Sequence, residues 1–190
     1  MNASECTNRQ PRSTLNSVKR RKDRRAPALK AALIYETLTG GERARGFLDK
    51  LASASGRTLE EQMWSFDGLR IREARNAAAS AARKADVVVV SASAQLELPG
   101  TVRAWLDMWL WLLDGQEPAL VALFDSSAAP NIARVREHLN CIARRAKLEF
   151  FVVHREVSSS TGIRLVGEGL WSKFAEQSVL AWLNKKLEAQ

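Results

Sequence analysis

Two short stretches carry residue types suited to holding an anionic ligand. The first is Thr37-Leu38-Thr39-Gly40-Gly41, directly after an apolar run and directly before a helical pattern. Hydroxyls there can donate to phosphate oxygens, glycines let a backbone approach a ligand closely, and a helix amino end carries partial positive charge. The second runs from Ser91 to Pro99 and offers Ser91, Ser93 and Gln95. Asp125 and Ser126 end a third apolar run and form a polar cluster of the same kind. Other chemistries lack their residues. Cys6 and Cys141 sit far apart, and His138 and His154 lack paired ligand spacing, so no metal site is expected. No Ser-His-Asp arrangement and no dinucleotide G-x-G-x-x-G motif appears.

These stretches need a frame that brings them together, and the chain supplies a regular one. Val87 to Val90 are four consecutive valines, a run expected of a strand buried on both faces. Val102, Trp105, Leu106, Trp109 and Leu113 follow at helical spacing. Four more apolar runs read as strands: 29–35, 59–66, 118–124 and 148–154. Between and after them, helices are expected around 44–55, 71–85, 132–146 and 174–187. The segment 59–66 has mixed faces and reads as an edge strand. Five strands alternating with five helices predict an α/β domain over residues 29–190, a three-layer, doubly wound parallel sheet of order 2-1-3-4-5. That order puts its switch point between strands one and three, where the loops 36–42 and 91–99 would meet.

Particular residues in these loops carry a resemblance. Thr37-x-Thr39-Gly40 resembles the phosphate loop of flavodoxins, [ST]-x-T-G-x-[ST], with Glu42 standing at the last hydroxyl position. Pro99-Gly100, Arg103 and Leu106-Asp107 resemble the matching segment of NAD(P)H-dependent FMN reductases, with Ala94 and Gln95 at that family's tyrosine and asparagine positions. Trp64-Ser65-Phe66-Asp67 and Ser91-Ala92 followed by Glu97-Leu98-Pro99 are similar to segments of a group of bacterial flavodoxin-like proteins. The resemblance implies a flavodoxin-like domain that binds FMN as an NAD(P)H-dependent redox protein. Thr37, Thr39, Gly40 and Gly41 would lie at the phosphate, and Ser91 and Gln95 nearer the ring, with Asp125 and Ser126 as further contacts. The alternative is a scaffold of the same fold, flavodoxin-like or receiver-like, that acts through protein contact. Phosphoacceptor chemistry is not expected, because Ser91 stands where a receiver domain has its aspartate.

Composition sets the remaining bounds. The 190 residues, 46% hydrophobic and 26% charged, suit one globular domain. The net charge of +8 is concentrated near the start: residues 1–30 hold nine Lys or Arg against two acids. Residues 1–28 lack apolar periodicity and are expected to be a disordered basic tail, the one segment where nucleic acid would bind. No apolar run is long enough for a membrane span and no secretory h-region is present, so a reducing cytoplasm is expected. Trp105 and Trp109 read as core or dimer surface, and Trp111, off their stripe, suggests an interface such as a homodimer. His138 reads as a boundary residue, and His154 as a strand end near the ligand edge.

Overall fold

The structure is a computed structural model, and it describes residues 27–92, 97–115, 117–124, 132–154 and 173–188. Five strands form one parallel sheet: β1 (Leu29–Tyr35), β2 (Leu59–Ser65), β3 (Val87–Ala92), β4 (Ala119–Phe124) and β5 (Phe150–His154). Their order is β2-β1-β3-β4-β5, as the alternation of elements predicts. The helices are α1 (Leu38–Ala54), α2 (Arg72–Arg83), α3 (Gly100–Leu112), α4 (Ile132–Ala146) and α5 (Lys173–Glu188). A short 3-10 turn at Gly68–Arg70 precedes α2.

Strand alternation divides the core into two layers. Ala32, Ile34, Val88, Val90, Leu120 and Ala122 face α2, α3 and α4. Leu29, Leu33, Val87, Val89, Val121 and Leu123 face the opposite way, against α1 and α5. Every residue of β3 and β4 is buried, which is why both read as unbroken apolar runs. The alanines Ala78, Ala79 and Ala82 let α2 lie close to the sheet. Trp105 and Trp109 fill the space under α3, their rings stacked with centroids 5.8 Å apart. Trp111 points the other way and is 91% exposed.

The amino-terminal edge of the sheet is closed by a buried arginine. Arg57 donates from Nε to the Pro27 carbonyl and from Nη2 to the Ala28 carbonyl and to Asp86 Oδ2, each at 2.7 Å. Asp86 Oδ2 also accepts from the Lys30 backbone N–H at 3.0 Å. One guanidinium therefore joins the chain before β1 to the residue just before β3. The basic segment 1–26 lies outside the described residues, and Pro27 and Ala28 are fixed here, at the edge opposite the switch point.

Candidate functional site at the carboxyl edge of β1 and β3

The sheet register brings the strand ends into one row. Tyr35 pairs with Ser65 on one side and Ser91 on the other, Ala92 with Phe124, and Phe124 with His154. From β1 the chain takes only two residues, Glu36 and Thr37, to enter α1. Thr37 is extended and its hydroxyl accepts from the Gly40 N–H at 3.1 Å, an N-cap. The Thr37 carbonyl accepts from the Gly41 N–H at 2.9 Å. The end of β3 is tied to the same turn: Ser91, 5% exposed, donates its hydroxyl proton to the Gly40 carbonyl at 3.1 Å. The Glu36 N–H donates in turn to the Ser91 carbonyl at 3.0 Å. These bonds draw Thr37, Gly40, Gly41 and Ser91 together, and Thr39 is exposed on the same turn. Gln95, Asp125 and Ser126 lie outside the described residues.

The segment 36–42 differs from the loop expected of it. α1 begins at Leu38, so Thr39, Gly40, Gly41 and Glu42 are already helical. The glycines are there for close packing. A Cβ on Gly40 would sit 3.0 Å from Ser91 Oγ, and one on Gly41 would sit 2.9 Å from Tyr35 Cγ. Both distances are shorter than ordinary contact, so the first turn of α1 lies against the sheet edge only because these side chains are missing. Tyr35 is the residue that sequence reasoning passed over. The visible signal was a tyrosine ending an apolar strand six residues before a glycine.

What faces outward is the first turn of α1. Leu38 is 68% exposed and Thr39 is exposed, while no acidic residue occupies that turn. The N–H groups of Leu38 and Thr39 precede the first intrahelical bond and point along the positive end of the helix dipole. Glu42 is exposed one turn further in. An exposed helix start of this kind is suited to an anion, with Glu36 before the cap and Glu42 after it as the carboxylates nearest in sequence.

The aromatic supply for a flavin ring is thinner. Trp105 is fully buried against Trp109 and unavailable. Trp64 is half-buried at the end of β2 and packs on the α2–α3 layer. Tyr35 is half-buried over Gly41. At the far end of the row, His154 stacks on Phe124 with centroids 5.7 Å apart. Burial, and then the charge of Arg136, push the His154 imidazole below its usual value.

A larger cavity, about 650 Å³, lies elsewhere. It flanks β1 and the edge strand β2 toward the opposite edge of the sheet, and Lys30, Asp49, Leu59, Glu61 and Lys84 are among its walls. Within it Arg45 pairs with Glu61 at 2.7 Å. Burial raises the Glu61 carboxyl above its usual value, against the lowering effect of Arg45. Among the described residues no group of three or more His, Cys, Asp or Glu could hold a metal ion. No helix among them is long and apolar enough to cross a membrane.

No protein-family model matches the chain, and no curated protein matches its sequence. Solved structures do. The chain is similar to a flavo-di-iron protein mutant from Thermotoga maritima, with 12% identity and a TM-score of 0.51, over 84% of this chain and 36% of that one. It thus spans about a third of that protein's length. It is also similar to the two-electron reduced flavodoxin of Megasphaera elsdenii (14% identity, TM-score 0.41, 64% of this chain and 82% of that one). A third likeness is to general stress protein 14 from Treponema denticola in complex with FMN (16% identity, TM-score 0.39, 84% of this chain and 98% of that one).

Proposed function

We propose that this chain, whose fold is flavodoxin-like, binds FMN at the junction of β1 and β3 and acts as a flavin-dependent redox domain. One observation carries the reading. The hydrogen bond from Ser91 to Gly40 fixes an exposed helix start, with no acid in its first turn, at the switch point of a sheet of order β2-β1-β3-β4-β5. The Leu38 and Thr39 N–H groups and the Thr39 hydroxyl would hold the phosphate. Gly40 and Gly41 keep α1 seated on the sheet, and Thr37 caps the Gly40 N–H so that the turn is preformed. Bound FMN would supply hydride or electron transfer, and the chain's residues would bind and orient it. The test is direct. Purified full-length chain should quench FMN fluorescence saturably and take up flavin absorbance. Quenching that stays at the level of an unrelated protein control rejects the reading.

A second reading has its own support. Packing alone accounts for Gly40 and Gly41, and Thr37 is occupied as a cap. On that basis the domain is a scaffold without cofactor, working through protein contact. Trp111, 91% exposed on α3, is its candidate contact residue, including contact with a second copy of the chain. Trp111→Glu should then shift an assembled species to a monomer in sedimentation. A chain that is monomeric before the substitution removes the homodimer.

A further inference from the structure

The amino-terminal halves of α3 and α4 enclose a small crevice of about 160 Å³, lined by none of the residues named above for the phosphate end of FMN. Leu98 and Val135, both buried, form its apolar floor. Its polar wall is basic: Arg103 from the first turns of α3, and Arg134 and His138 from those of α4. Neither helix carries an acid in its first turn, so both present their positive dipole ends to this region. His138 Nε2 is buried and has no hydrogen-bond partner among the described residues. Arg103 makes no ion pair among them, although it lies close enough to His138 to depress its protonation after burial itself. Among the described residues the one carboxylate in the wall is Glu97, which pairs with Arg134 at 2.8 Å.

We propose that the α3–α4 crevice is a binding site for a phosphate-sized oxyanion, held by Arg103, Arg134 and His138, with Glu97 as its internal competitor. Two guanidinium forks and an imidazole around an apolar floor suit a compact tetrahedral anion. The incoming anion takes the place of the Glu97 carboxylate on Arg134. It also satisfies the buried Nε2, which donates to it once the ring is protonated. Among the described residues the charged groups around His138 are Arg103 and Asp107 on α3, Arg145 and Arg134 on α4, and Glu97 in the loop before α3. Of these the cations disfavour ring protonation, and an anion among them reverses that balance. Binding of an oxyanion whose own charge is fixed over the range, such as sulfate, therefore tightens as pH falls from 7.5 to 6.

The probe is inorganic phosphate, titrated against chloride at constant ionic strength and pH 6.5 into the full chain. The readout is the ring signals of the two histidines by NMR, assigned with His138→Gln. The His138 signals should shift saturably. Arg103→Gln should weaken the apparent affinity about tenfold, the effect of removing one charge-assisted contact. Glu97→Gln should strengthen it about threefold while leaving the crevice intact. A glycerol phosphate titration separates sources: equal or tighter binding points to a phosphorylated organic ligand, and weaker binding to the free ion. A linear, unsaturated shift, an Arg103→Gln curve identical to that of the unaltered chain, or acetate binding as well as phosphate would overturn the assignment.

Discussion

Replacing Gly41 with alanine tests whether the first turn of α1 is shaped by packing. The added methyl would lie 2.9 Å from Tyr35 Cγ and 3.1 Å from both Cδ atoms. Carbon atoms in ordinary contact are about 3.5–4.0 Å apart, so the ring or the helix has to move. The ring's Cγ sits close to the backbone of a central strand and has little room to give. Overpacking of this kind costs about 1–3 kcal/mol, whereas glycine to alanine in a helix gains about 1 kcal/mol. Gly41→Ala should therefore leave stability unchanged or lower it by up to about 2 kcal/mol. In a Tyr35→Ala background the obstacle is gone, and the same substitution should stabilise by about 1 kcal/mol. Gly46, in the same helix, has open space within 4 Å of the position a methyl would take. Gly46→Ala is thus the internal control and should stabilise by about 1 kcal/mol. Urea unfolding followed by circular dichroism on the five proteins gives the cycle. If Gly41→Ala stabilises the otherwise unaltered chain as much as Gly46→Ala does, the reasoning about Tyr35 is wrong.

Three further outcomes are expected. Arg57→Met leaves the Pro27 and Ala28 carbonyls without their side-chain donor and the partly exposed Asp86 carboxylate with only the Lys30 N–H, and should cost about 2–4 kcal/mol in urea unfolding; a loss below about 0.5 kcal/mol would show that the clamp contributes little. Burial pushes both His138 and His154 below the usual imidazole value of 6.5. The unfolded chain then takes up more protons than the folded one as pH falls through and below 6.5, so stability drops on acidification. The urea midpoint should fall from pH 7.5 to pH 5.5, and fall less in His138→Gln/His154→Gln. Glu61, raised by burial, acts with the opposite sign, but equally in both proteins, so the difference between them isolates the imidazoles. An equal fall in the two proteins would refute the assignment. Finally, Glu42→Thr removes an exposed carboxylate one turn into α1 and should tighten FMN binding about two- to threefold at low salt, as expected for a screened charge several ångströms away. Unchanged affinity would mean that Glu42 does not face the phosphate.

The sheet was legible because its signals are local and repeated. The four valines of β3 and the apolar run of β4 announce strands buried on both faces, and both prove buried throughout. The mixed faces of 59–66 give the edge strand, with Met63 facing one layer and Phe66 the other. The start of α1 was misplaced for an equally local reason. Gly40-Gly41 reads as a loop because glycine disfavours helix, yet Tyr35 and Ser91 require a surface without Cβ atoms at those positions, and packing outweighs propensity. Arg57 gave no signal at all. Its partners lie 29 and 30 residues away along the chain, and only the closed sheet brings Pro27, Ala28 and Asp86 to one guanidinium. The meeting of Thr37, Gly40 and Ser91 followed from strand order. The bond from Ser91 to Gly40 that locks it did not, because the side chain's direction depends on the parallel register Tyr35↔Ser91.

The proposed site stands or falls with the start of α1 as the phosphate end of bound FMN. Backbone amide NMR during an FMN titration tests this directly, because it reports where on the chain the ligand sits. Saturable shifts should centre on the Leu38 and Thr39 amides and spread to Gly40 and Ser91, with those of Arg57 and Asp86 at the opposite edge unmoved. Saturable FMN binding that leaves Leu38 and Thr39 in place, or no binding at all, would contradict the assignment.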